Sequence, residues 1–324
     1  MKILITGAGG FAGSHLIELL HQRNPDAELH GTFFAGASEN SPQFVIPHVL
    51  DLCNLDAVVT TLQTSQPDQI YHLAAWANVG ASHQKDYAWK VFENNIRGQL
   101  NLFLACIELK ILPRVLAVTS GEIYDTSNAH TEPITEQTPL KPANPYGVSK
   151  ATQDLLAQQY FLSHQLPIVR ARPFNHTGPR QRLGFVVPDF ANQVAEIEAN
   201  LRAPVMKVGS LDSERDFTDV RDVVQAYYAL MNHGEAGEAY NIASQRPITI
   251  QSILDYLLSL SDAEITVTTD PTLIRPGAKP KSWGNTQKLR EATQWRPTYD
   301  IHTTLQDVLN DYRQQVHKRM SQSS

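Results

Sequence analysis

The sequence is poor in cysteine and in long apolar runs. Only two cysteines occur among its 324 residues, Cys53 and Cys106, and their separation matches no metal-binding or redox spacing. A secreted domain held together by disulfide bonds is therefore not expected. We expect a protein of a reducing compartment such as the cytoplasm. No run approaches the roughly 20 apolar residues of a membrane span. The apolar start of the chain is interrupted by glycine too early for the core of a signal peptide.

Positive charge is also scarce. Lys and Arg number 27 against 33 Asp and Glu, which gives a formal net charge of −6. This balance argues against a nucleic-acid polymer as the partner, although a local basic pocket for a small anion remains open. The twelve histidines form no HExxH pattern and no Cys/His zinc spacing, so no metal is expected. A G-x-S-x-G motif is lacking as well, which argues against a serine hydrolase.

What the sequence does contain is a regular alternation of short apolar runs with longer helix-period segments. This alternation predicts an α/β fold with a Rossmann-type, doubly wound parallel sheet. Beyond about residue 172 prolines become denser and the alternation fades. We therefore expect a dinucleotide-binding domain over residues 1–172, joined by returning segments at about 215–245. Residues 173–324 would form mainly a smaller mixed α/β substrate-binding region.

The start of the chain carries a glycine-rich turn. Gly7, Gly10 and Gly13 form the pattern G-x-x-G-x-x-G between an apolar strand and an amphipathic helix. The first glycine permits the tight turn, the second lets backbone approach a pyrophosphate, and the third lets helix and strand pack closely. The free N–H groups of the helix start favour phosphate. The turn therefore predicts a dinucleotide site in which Phe11 and Ala12 also take part.

The choice between NAD(H) and NADP(H) is left open by the end of the second predicted strand. That segment has neither a carboxylate for the ribose hydroxyl nor an arginine for a 2′-phosphate. No Lys or Arg occurs from residue 24 to 84, which favours NAD. Asp51 and Leu52 follow the third strand, at the expected place for an adenine contact.

A candidate catalytic group lies in the second half of the sheet domain. Tyr146 and Lys150 are spaced i and i+4, so they share one face of a predicted helix over residues 146–164. An ammonium about 4 Å from a phenol would move the tyrosine pKa from about 10 towards neutrality, where the group serves as an acid or base. Ser120 follows a predicted strand, at the edge where open α/β sheets bind ligands, and can donate to a substrate oxygen.

These motifs together resemble the extended short-chain dehydrogenases/reductases that act on nucleotide sugars. The matching segments are Thr6–Gly13, Asp51-Leu52, His72-Leu73-Ala74-Ala75, Asn95-Ile96-Arg97-Gly98, residues 119–124, Tyr146–Lys150 and Arg172-Pro173-Phe174-Asn175. They cover the first region in order. Within this branch the second half is most similar to GDP-mannose 4,6-dehydratases and GDP-4-keto-6-deoxymannose reductases.

The resemblance implies a role for each matching position. Ser120, Tyr146 and Lys150 would form the catalytic triad, and Asn95 would support the region around Lys150. Leu73 and Ala74 would line the nicotinamide side of the cleft. Glu122 stands where dehydratases of this branch carry an additional acid/base carboxylate, but a chemically silent carboxylate is an equal alternative.

The resemblance also implies a site for a sugar diphosphate. Asn175 and Arg180 lie in a segment like the loop that meets the diphosphate. Arg215 would be one cation for it, Arg275 a second, and Lys207 is a further candidate contact. The chain has Ser210 and Ala278 where the group often has Asn and Glu, so a diphosphate sugar is better supported than guanosine itself.

The leading hypothesis is NAD(P)H-dependent reduction of a 4-keto 6-deoxy sugar, with GDP-4-keto-6-deoxymannose giving a product of the GDP-rhamnose type. A 4,6-dehydratase that uses Glu122, a 4-epimerase and a non-catalytic nucleotide-binding relative are the alternatives. The family resemblance further implies a homodimer through a four-helix bundle of helices at about 91–109 and 146–164.

Overall fold

The computed structural model of the chain describes residues 1–34, 41–77, 86–125, 132–274 and 281–323. The strands within these ranges are β1 (Lys2–Thr6), β2 (Glu28–Phe33), β3 (Val45–Val49), β4 (Gln69–His72), β5 (Arg114–Val118), β6 (Ile168–Pro173), β7 (His176–Thr177), β8 (Val205–Val208), β9 (Glu214–Asp216), β10 (Thr218–Asp219), β11 (Ala239–Ile242), β12 (Pro247–Thr249), β13 (Thr266–Thr269) and β14 (Lys281–Ser282). The α-helices are α1 (Phe11–Arg23), α2 (Leu55–Ser65), α3 (Tyr87–Phe92), α4 (Gly98–Glu108), α5 (Pro145–His164), α6 (Val186–Glu198), α7 (Val220–His233), α8 (Ile250–Ser259), α9 (Gln287–Thr293) and α10 (Ile301–Ser323). None of these helices is long and apolar enough to cross a membrane.

A seven-stranded sheet in the order β11-β6-β5-β4-β1-β2-β3 forms the centre of the molecule. Every neighbouring pair in it is parallel. One apolar cluster joins the sheet to α1 and α7, and a second joins its other face to α2, α4 and α5. Strand β1 is buried from Ile3 to Thr6, and its three central residues are apolar, because both faces of the sheet are covered. The predicted doubly wound Rossmann-type fold is confirmed.

A second group of elements builds its own apolar cluster from α6, α8, α10 and strand β8. Its small sheets, β12-β9-β14 and β13-β8, carry only two or three strands each. Between β10 and β12 the chain returns to the main sheet. There helix α7 packs on α1, and strand β11 pairs with β6.

The topology brings three strand ends together. In a parallel sheet the carboxyl ends of all strands lie at one edge. Gly7 follows β1, Leu73 follows β4, and Ser120 comes two residues after β5. Since β1, β4 and β5 are adjacent in the sheet, these residues line one cleft.

The helix predicted at 91–109 differs from the observed one in its start and its pitch. Helix α3 begins earlier, at Tyr87, and a π-helical turn, Glu93–Arg97, lies between α3 and α4. Such a turn adds a residue to the helical repeat and often accompanies a functional position. Here it contains Asn95, which is completely buried.

Candidate active site

The glycine turn after β1 is shaped for close approach of backbone. Gly7 has a φ of +72°, and a Cβ there would lie 2.9 Å from the Cα of Ala74. A Cβ at Gly13 would lie 2.2 Å from the Gly7 carbonyl oxygen, and one at Gly10 would lie 3.1 Å from it. Side chains are therefore excluded at Gly7 and Gly13. Helix α1 starts at the turn without a side-chain cap, so its first N–H groups suit the phosphates of a dinucleotide.

The strand end beside the turn is fixed by Thr6. Its carbonyl accepts a hydrogen bond from the Leu73 N–H over 3.2 Å, and its hydroxyl accepts one from the Ala74 N–H over 3.2 Å. The same hydroxyl lies 2.8 Å from Nδ1 of His72. Burial and the nearby charge of Lys150 lower the pKa of His72 to about 3, so this imidazole is neutral. Leu73 and Ala74 thus lie next to the glycine turn, as the nicotinamide prediction requires.

Asn95 connects the β4 end to helix α5. Its Oδ1 accepts a hydrogen bond from the Trp76 N–H over 2.6 Å. Its Nδ2 donates to the Ser149 hydroxyl over 2.9 Å, and Ser149 in turn donates to the Tyr146 carbonyl over 2.8 Å. Asn95 therefore holds the first turn of α5, where the predicted catalytic residues lie.

Two residues position the start of helix α5. Asn144 precedes the helix and its side chain accepts a hydrogen bond from the Gly147 N–H over 2.8 Å. Pro145 occupies the first helical position, where its fixed φ is favourable and no donor is needed. Tyr146 and Lys150 then lie one turn apart on the side of the helix that faces the end of β5.

The Ser120 hydroxyl lies close enough to the Tyr146 phenol to lower its pKa by side-chain hydrogen bonding, against the larger rise that burial causes. The Ser120 hydroxyl oxygen also accepts a hydrogen bond from the Glu122 N–H over 3.2 Å. That bond leaves the Ser120 proton free to point at the phenol oxygen or at a substrate oxygen. The structure therefore brings the predicted Ser120 and Tyr146 together at the carboxyl end of β5.

The effect of Lys150 on the pKa of Tyr146 differs from the one that the sequence predicts. Its ammonium is buried and donates a hydrogen bond to the Val118 carbonyl over 2.9 Å. Burial lowers the pKa of Lys150 to about 7. Burial raises the pKa of Tyr146 and the Ser120 hydrogen bond lowers it, whereas Lys150 is not among the groups that shift it. The expected movement of the Tyr146 pKa towards neutrality is therefore wrong for this arrangement, because desolvation of the phenol is the largest effect.

Glu122 lies at the edge of the same group. Its carboxylate accepts a hydrogen bond from the Asn144 side chain over 3.3 Å. Its charge raises the pKa of Tyr146 and also that of Arg215, whereas burial lowers the pKa of Arg215. Glu122 is therefore close enough to Tyr146 and to Arg215 for its charge to act on both.

The other predicted substrate contacts are less closely grouped. Asn175 is exposed after β6, and its carbonyl accepts a hydrogen bond from the Thr218 N–H over 2.9 Å. Arg180 follows β7 and contacts helix α1, where its guanidinium is 2.6 Å from the Glu18 carboxylate. Lys207 is exposed on β8, 3.9 Å from Asp270. Arg275 lies outside the described residues.

The predicted adenine contact lies on the other side of the glycine turn. Asp51 is exposed, and its carboxylate accepts a hydrogen bond from the Cys53 N–H over 2.8 Å. Leu52 packs against Gly98, where an added Cβ would lie 3.2 Å away from it.

Phe11, the first residue of α1, stacks on His176 with ring centroids 5.9 Å apart. The stack joins the start of α1 to the segment that follows Asn175.

The family model described as GDP-mannose 4,6-dehydratase matches residues 4–308. The chain belongs to this family. Its similarity to GDP-6-deoxy-D-mannose reductase of Pseudomonas aeruginosa is 31% identity over 315 residues, which covers 97% of this chain and 98% of the relative. The family predicted from the motifs is confirmed.

Solved structures of similar proteins extend over the same length. RMD from Pseudomonas aeruginosa complexed with NADPH is 29% identical, with a TM-score of 0.83 and coverage of 97% of this chain and 100% of that one. UDP-glucose 4-epimerase of Thermus thermophilus in complex with NAD is 27% identical, with a TM-score of 0.84 and coverage of 97% and 99%. Proteins that share this fold therefore include a reductase and an epimerase of nucleotide sugars. The residues of the active site, and not the fold, must determine which of the two reactions occurs.

Sequence reasoning missed several positioning groups in this member of the GDP-mannose 4,6-dehydratase family. Asn144 holds both the start of α5 and Glu122, and its position directly before Pro145 was a readable helix-start signal. Ser149 and the Trp76 backbone carry the Asn95 network. No pattern in the sequence indicated those contacts, because they join segments 19 and 54 residues apart through a π-helical turn.

Proposed function

We propose that this protein reduces the 4-keto group of a nucleoside-diphosphate 6-deoxy sugar, with GDP-4-keto-6-deoxymannose giving a product of the GDP-rhamnose type. The observation that carries the proposal is the proximity of the Ser120 hydroxyl to the Tyr146 phenol. The pair lies at the carboxyl end of β5, in the cleft that also contains the glycine turn. Family membership and the similarity to a GDP-6-deoxy-D-mannose reductase support this substrate class.

The side chains supply the proton side of the reaction. NAD(P)H, when bound, supplies the hydride to C4 of the sugar. Tyr146 gives its proton to the oxygen that develops at C4, and Ser120 donates a hydrogen bond to the same oxygen. Burial raises the pKa of Tyr146, so the phenol keeps its proton at neutral pH and is ready to act as an acid. The hydride, the proton and the carbonyl together give the alcohol.

Lys150 has a supporting role in this proposal. It is buried beneath the site with its nitrogen on the Val118 carbonyl, two residues before Ser120. From there it fixes the end of β5 and is placed to hold the ribose of the nicotinamide. Gly7, Gly10, Phe11, Ala12 and Gly13 would bind the pyrophosphate.

NAD(P)(H) is the cofactor that the glycine turn fits, and NADPH or NAD is bound in the two similar structures. We favour NAD for this chain, because no Lys or Arg occurs from residue 24 to 84 to neutralise a 2′-phosphate. Asp51 and Leu52 are the proposed adenine contacts, and Leu73, Ala74 and Asn95 the proposed supports of the nicotinamide end.

Arg215 is the best-supported of the proposed diphosphate contacts. It lies within electrostatic range of Glu122, whose charge also acts on Tyr146. A cation at that point would offset the charge of a diphosphate in an otherwise acidic protein. Asn175, Arg180, Lys207 and Arg275 remain further proposed contacts. Arg180 would have to leave Glu18 in order to bind a ligand.

A 4,6-dehydratase is the second candidate, and the position of Glu122 favours it. The carboxylate lies beside the catalytic pair and is oriented by Asn144. A dehydratase would use this group to remove a proton next to a transient ketone. An epimerase uses the same Ser120, Tyr146 and Lys150, and a non-catalytic relative would leave them without a reaction.

The assembly and location of the protein complete the proposal. We infer a homodimer through α4 and α5, because Leu155 and Leu162 of α5 are 55% and 65% exposed. Leu102 takes no part in this surface, since it is buried in the core between sheet and helices. We further propose two functional units, with a boundary near residue 172, and a cytoplasmic location.

One assay separates these candidates. The protein is given GDP-4-keto-6-deoxymannose with NADH or NADPH, and nicotinamide absorbance is followed. A reductase consumes one reduced cofactor for each sugar. A dehydratase instead converts GDP-mannose to a keto product without net change of cofactor. If neither reaction occurs and no dinucleotide binds, the enzyme proposal is wrong.

A further inference from the structure

One face of helix α1 contacts the segment that follows Asn175. Phe11, His15 and Glu18 are spaced i, i+4 and i+7, so they share that face. The ring of Phe11 stacks on His176 with an angle of only 4° between the two planes. Because α1 begins at the glycine turn, one end of this face adjoins the proposed dinucleotide site.

His15 uses both of its ring nitrogens in this contact. Its Nδ1 lies 2.8 Å from the guanidinium of Arg180, and its Nε2 lies 3.0 Å from the Pro179 carbonyl oxygen. A guanidinium has only donors and a carbonyl only accepts, so Nδ1 must be unprotonated and Nε2 must carry the proton. Burial lowers the pKa of His15, which favours the same neutral form. The imidazole therefore joins the helix to two consecutive residues of the segment.

Glu18 completes the contact one turn further along α1. Both of its carboxylate oxygens accept hydrogen bonds from the Arg180 guanidinium, over 2.6 and 2.9 Å. Such a bidentate pair fixes the plane of a guanidinium as well as its position. The Arg180 N–H also donates to the Asp311 carboxylate of α10 over 2.8 Å. We call the group formed by His15, Glu18, Pro179 and Arg180 the α1 bridge.

The backbone of the segment is held in an unusual conformation. Arg180 has a φ of +70°, in the left-handed region that residues other than glycine adopt at a cost. Two residues earlier, a Cβ at Gly178 would lie 2.6 Å from Cγ1 of Val220, so the chain passes close to the start of α7. A strained conformation of this kind persists when the surrounding contacts determine it. The α1 bridge supplies such contacts and thereby fixes the path of the chain after Asn175.

We propose that His15 is a positioning residue, which through the α1 bridge holds the segment from Asn175 to Arg180 where it meets the nucleotide sugar. The inference rests on the proposed function in taking this segment as part of the sugar-diphosphate site. In this role the guanidinium of Arg180 stays on His15 and Glu18. The alternative, direct binding of the diphosphate by Arg180, requires the bridge to open. The two roles therefore give opposite results when the bridge is weakened.

Hydrogen exchange tests the bridge without any ligand. His15→Phe keeps a ring and its edge contact with Phe11 but removes both hydrogen bonds. We expect amide exchange of the peptide 176–181 to become about three- to tenfold faster, as the loss of one neutral hydrogen bond implies. His21→Phe is the matched control, because His21 lies on the same helix and stacks on Phe44 instead. Unchanged exchange in His15→Phe would overturn the bridge.

Binding measurements test the positioning role. The protein is titrated with NAD and, once loaded with NAD, with GDP-mannose. We expect His15→Phe to weaken GDP-mannose by about three- to tenfold and to leave the NAD affinity and Tm close to those of His21→Phe. A merely structural role would lower the NAD affinity as well, since α1 begins at the glycine turn. An equal loss for both ligands, or no loss for GDP-mannose, would overturn the role.

Glu18→Gln distinguishes positioning from direct contact. The variant weakens the hold of α1 on the guanidinium and leaves Arg180 itself intact. If Arg180 positions the segment, GDP-mannose binds about two- to fivefold more weakly, the effect of an exposed ion pair. If Arg180 binds the diphosphate, its release from Glu18 tightens GDP-mannose instead. Tighter or unchanged binding would therefore remove the positioning role. Glu238→Gln is the matched control, since Glu238 is similarly exposed and pairs with Lys288 of α9.

Turnover separates this inference from the proposed function. With GDP-4-keto-6-deoxymannose as substrate, His15→Phe should raise the KM of the sugar more than that of the reduced cofactor. If the unaltered protein binds GDP-mannose but reduces no keto sugar, the reductase proposal fails, and a selective loss in His15→Phe still supports the bridge. If it reduces the keto sugar and His15→Phe leaves both KM values unchanged, the positioning role fails alone. If no nucleotide sugar binds, both are wrong.

Discussion

The side chain of Asn95 donates a hydrogen bond to the Ser149 hydroxyl over 2.9 Å, although 54 residues separate them in the chain. The other end of the same amide accepts from the Trp76 N–H over 2.6 Å. One buried side chain thereby joins the segment after β4 to the helical turn that carries Tyr146 and Lys150. The relative position of the predicted nicotinamide wall and the proton donor depends on it.

Replacement of Asn95 tests this connection. Asn95→Ala removes the acceptor of the Trp76 N–H and the donor to the Ser149 hydroxyl. We expect a loss of about 1–3 kcal/mol in the free energy of unfolding and a fall in kcat larger than any change in cofactor affinity. Urea unfolding and steady-state kinetics measure the two effects. Asn94→Ala is the control, since the Asn94 side chain donates to the Lys90 carbonyl one turn earlier in the chain. Equal effects at both positions would contradict the positioning role.

Tyr146→Phe tests the proton donor. The variant keeps the ring packing and removes only the hydroxyl that bonds to Ser120. We expect turnover of the keto sugar to fall by roughly 10²–10⁴-fold, the usual contribution of general acid catalysis, with dinucleotide affinity retained. Stopped assays and fluorescence titration of the cofactor check this. Tyr256→Phe, on helix α8 in the second apolar cluster, should be unaltered. Normal turnover in Tyr146→Phe would assign the proton to another group.

Lys150 predicts a specific dependence of stability on pH. Burial lowers its pKa from 10.5 to about 7, so above pH 7 the folded chain releases a proton that the unfolded chain still holds. Stability must therefore rise with pH, by at most about 1.4 kcal/mol per pH unit, between about 7 and 10. Relative to Lys150→Met, the free energy of unfolding of the unaltered protein should increase by about 2–3 kcal/mol from pH 7 to 9.

Chemical unfolding at pH 7, 8 and 9 gives this difference. Lys141→Met serves as the control, because Lys141 is exposed on the surface and its replacement should give a difference that does not change with pH. A difference that stays constant for Lys150→Met as well would show that the buried amine keeps its proton throughout.

The glycine turn gives a graded test of close packing. A Cβ at Gly13 would meet the Gly7 carbonyl oxygen at 2.2 Å, whereas one at Gly10 would lie 3.1 Å from the same atom. Gly13→Ala must therefore move backbone, but Gly10→Ala needs a shift of only a few tenths of an ångström. We expect Gly13→Ala to lower Tm and abolish dinucleotide binding, with a much smaller change in Tm for Gly10→Ala. Similar Tm values would mean that the turn relaxes freely.

The fold was predictable from the sequence because short, mainly apolar strands such as β1 and β5 alternate with longer helix-period segments. The motif around Ser120, Tyr146 and Lys150 was readable for a similar reason, since helical spacing places i and i+4 on one face. Sequence spacing does not determine which atom a side chain forms a hydrogen bond with. Lys150 bonds to the Val118 carbonyl and Tyr146 is desolvated, so the predicted pKa was wrong. The π-helical turn at Asn95 and strands of two residues carry no periodic signal at all.

Leu155 tests the proposed homodimer. Its side chain is 55% exposed on α5, and Leu104 of α4 and Leu162 of α5 are exposed as well. An apolar surface of this kind on paired helices is stabilised when a second copy covers it. We expect Leu155→Glu to convert a dimer into a monomer in light scattering, since a carboxylate would be buried without a partner. Leu201→Glu is the matched control, because Leu201 is also 55% exposed but follows α6, away from this surface. A monomeric unaltered protein, or a dimer that withstands Leu155→Glu, would place the interface elsewhere or remove it.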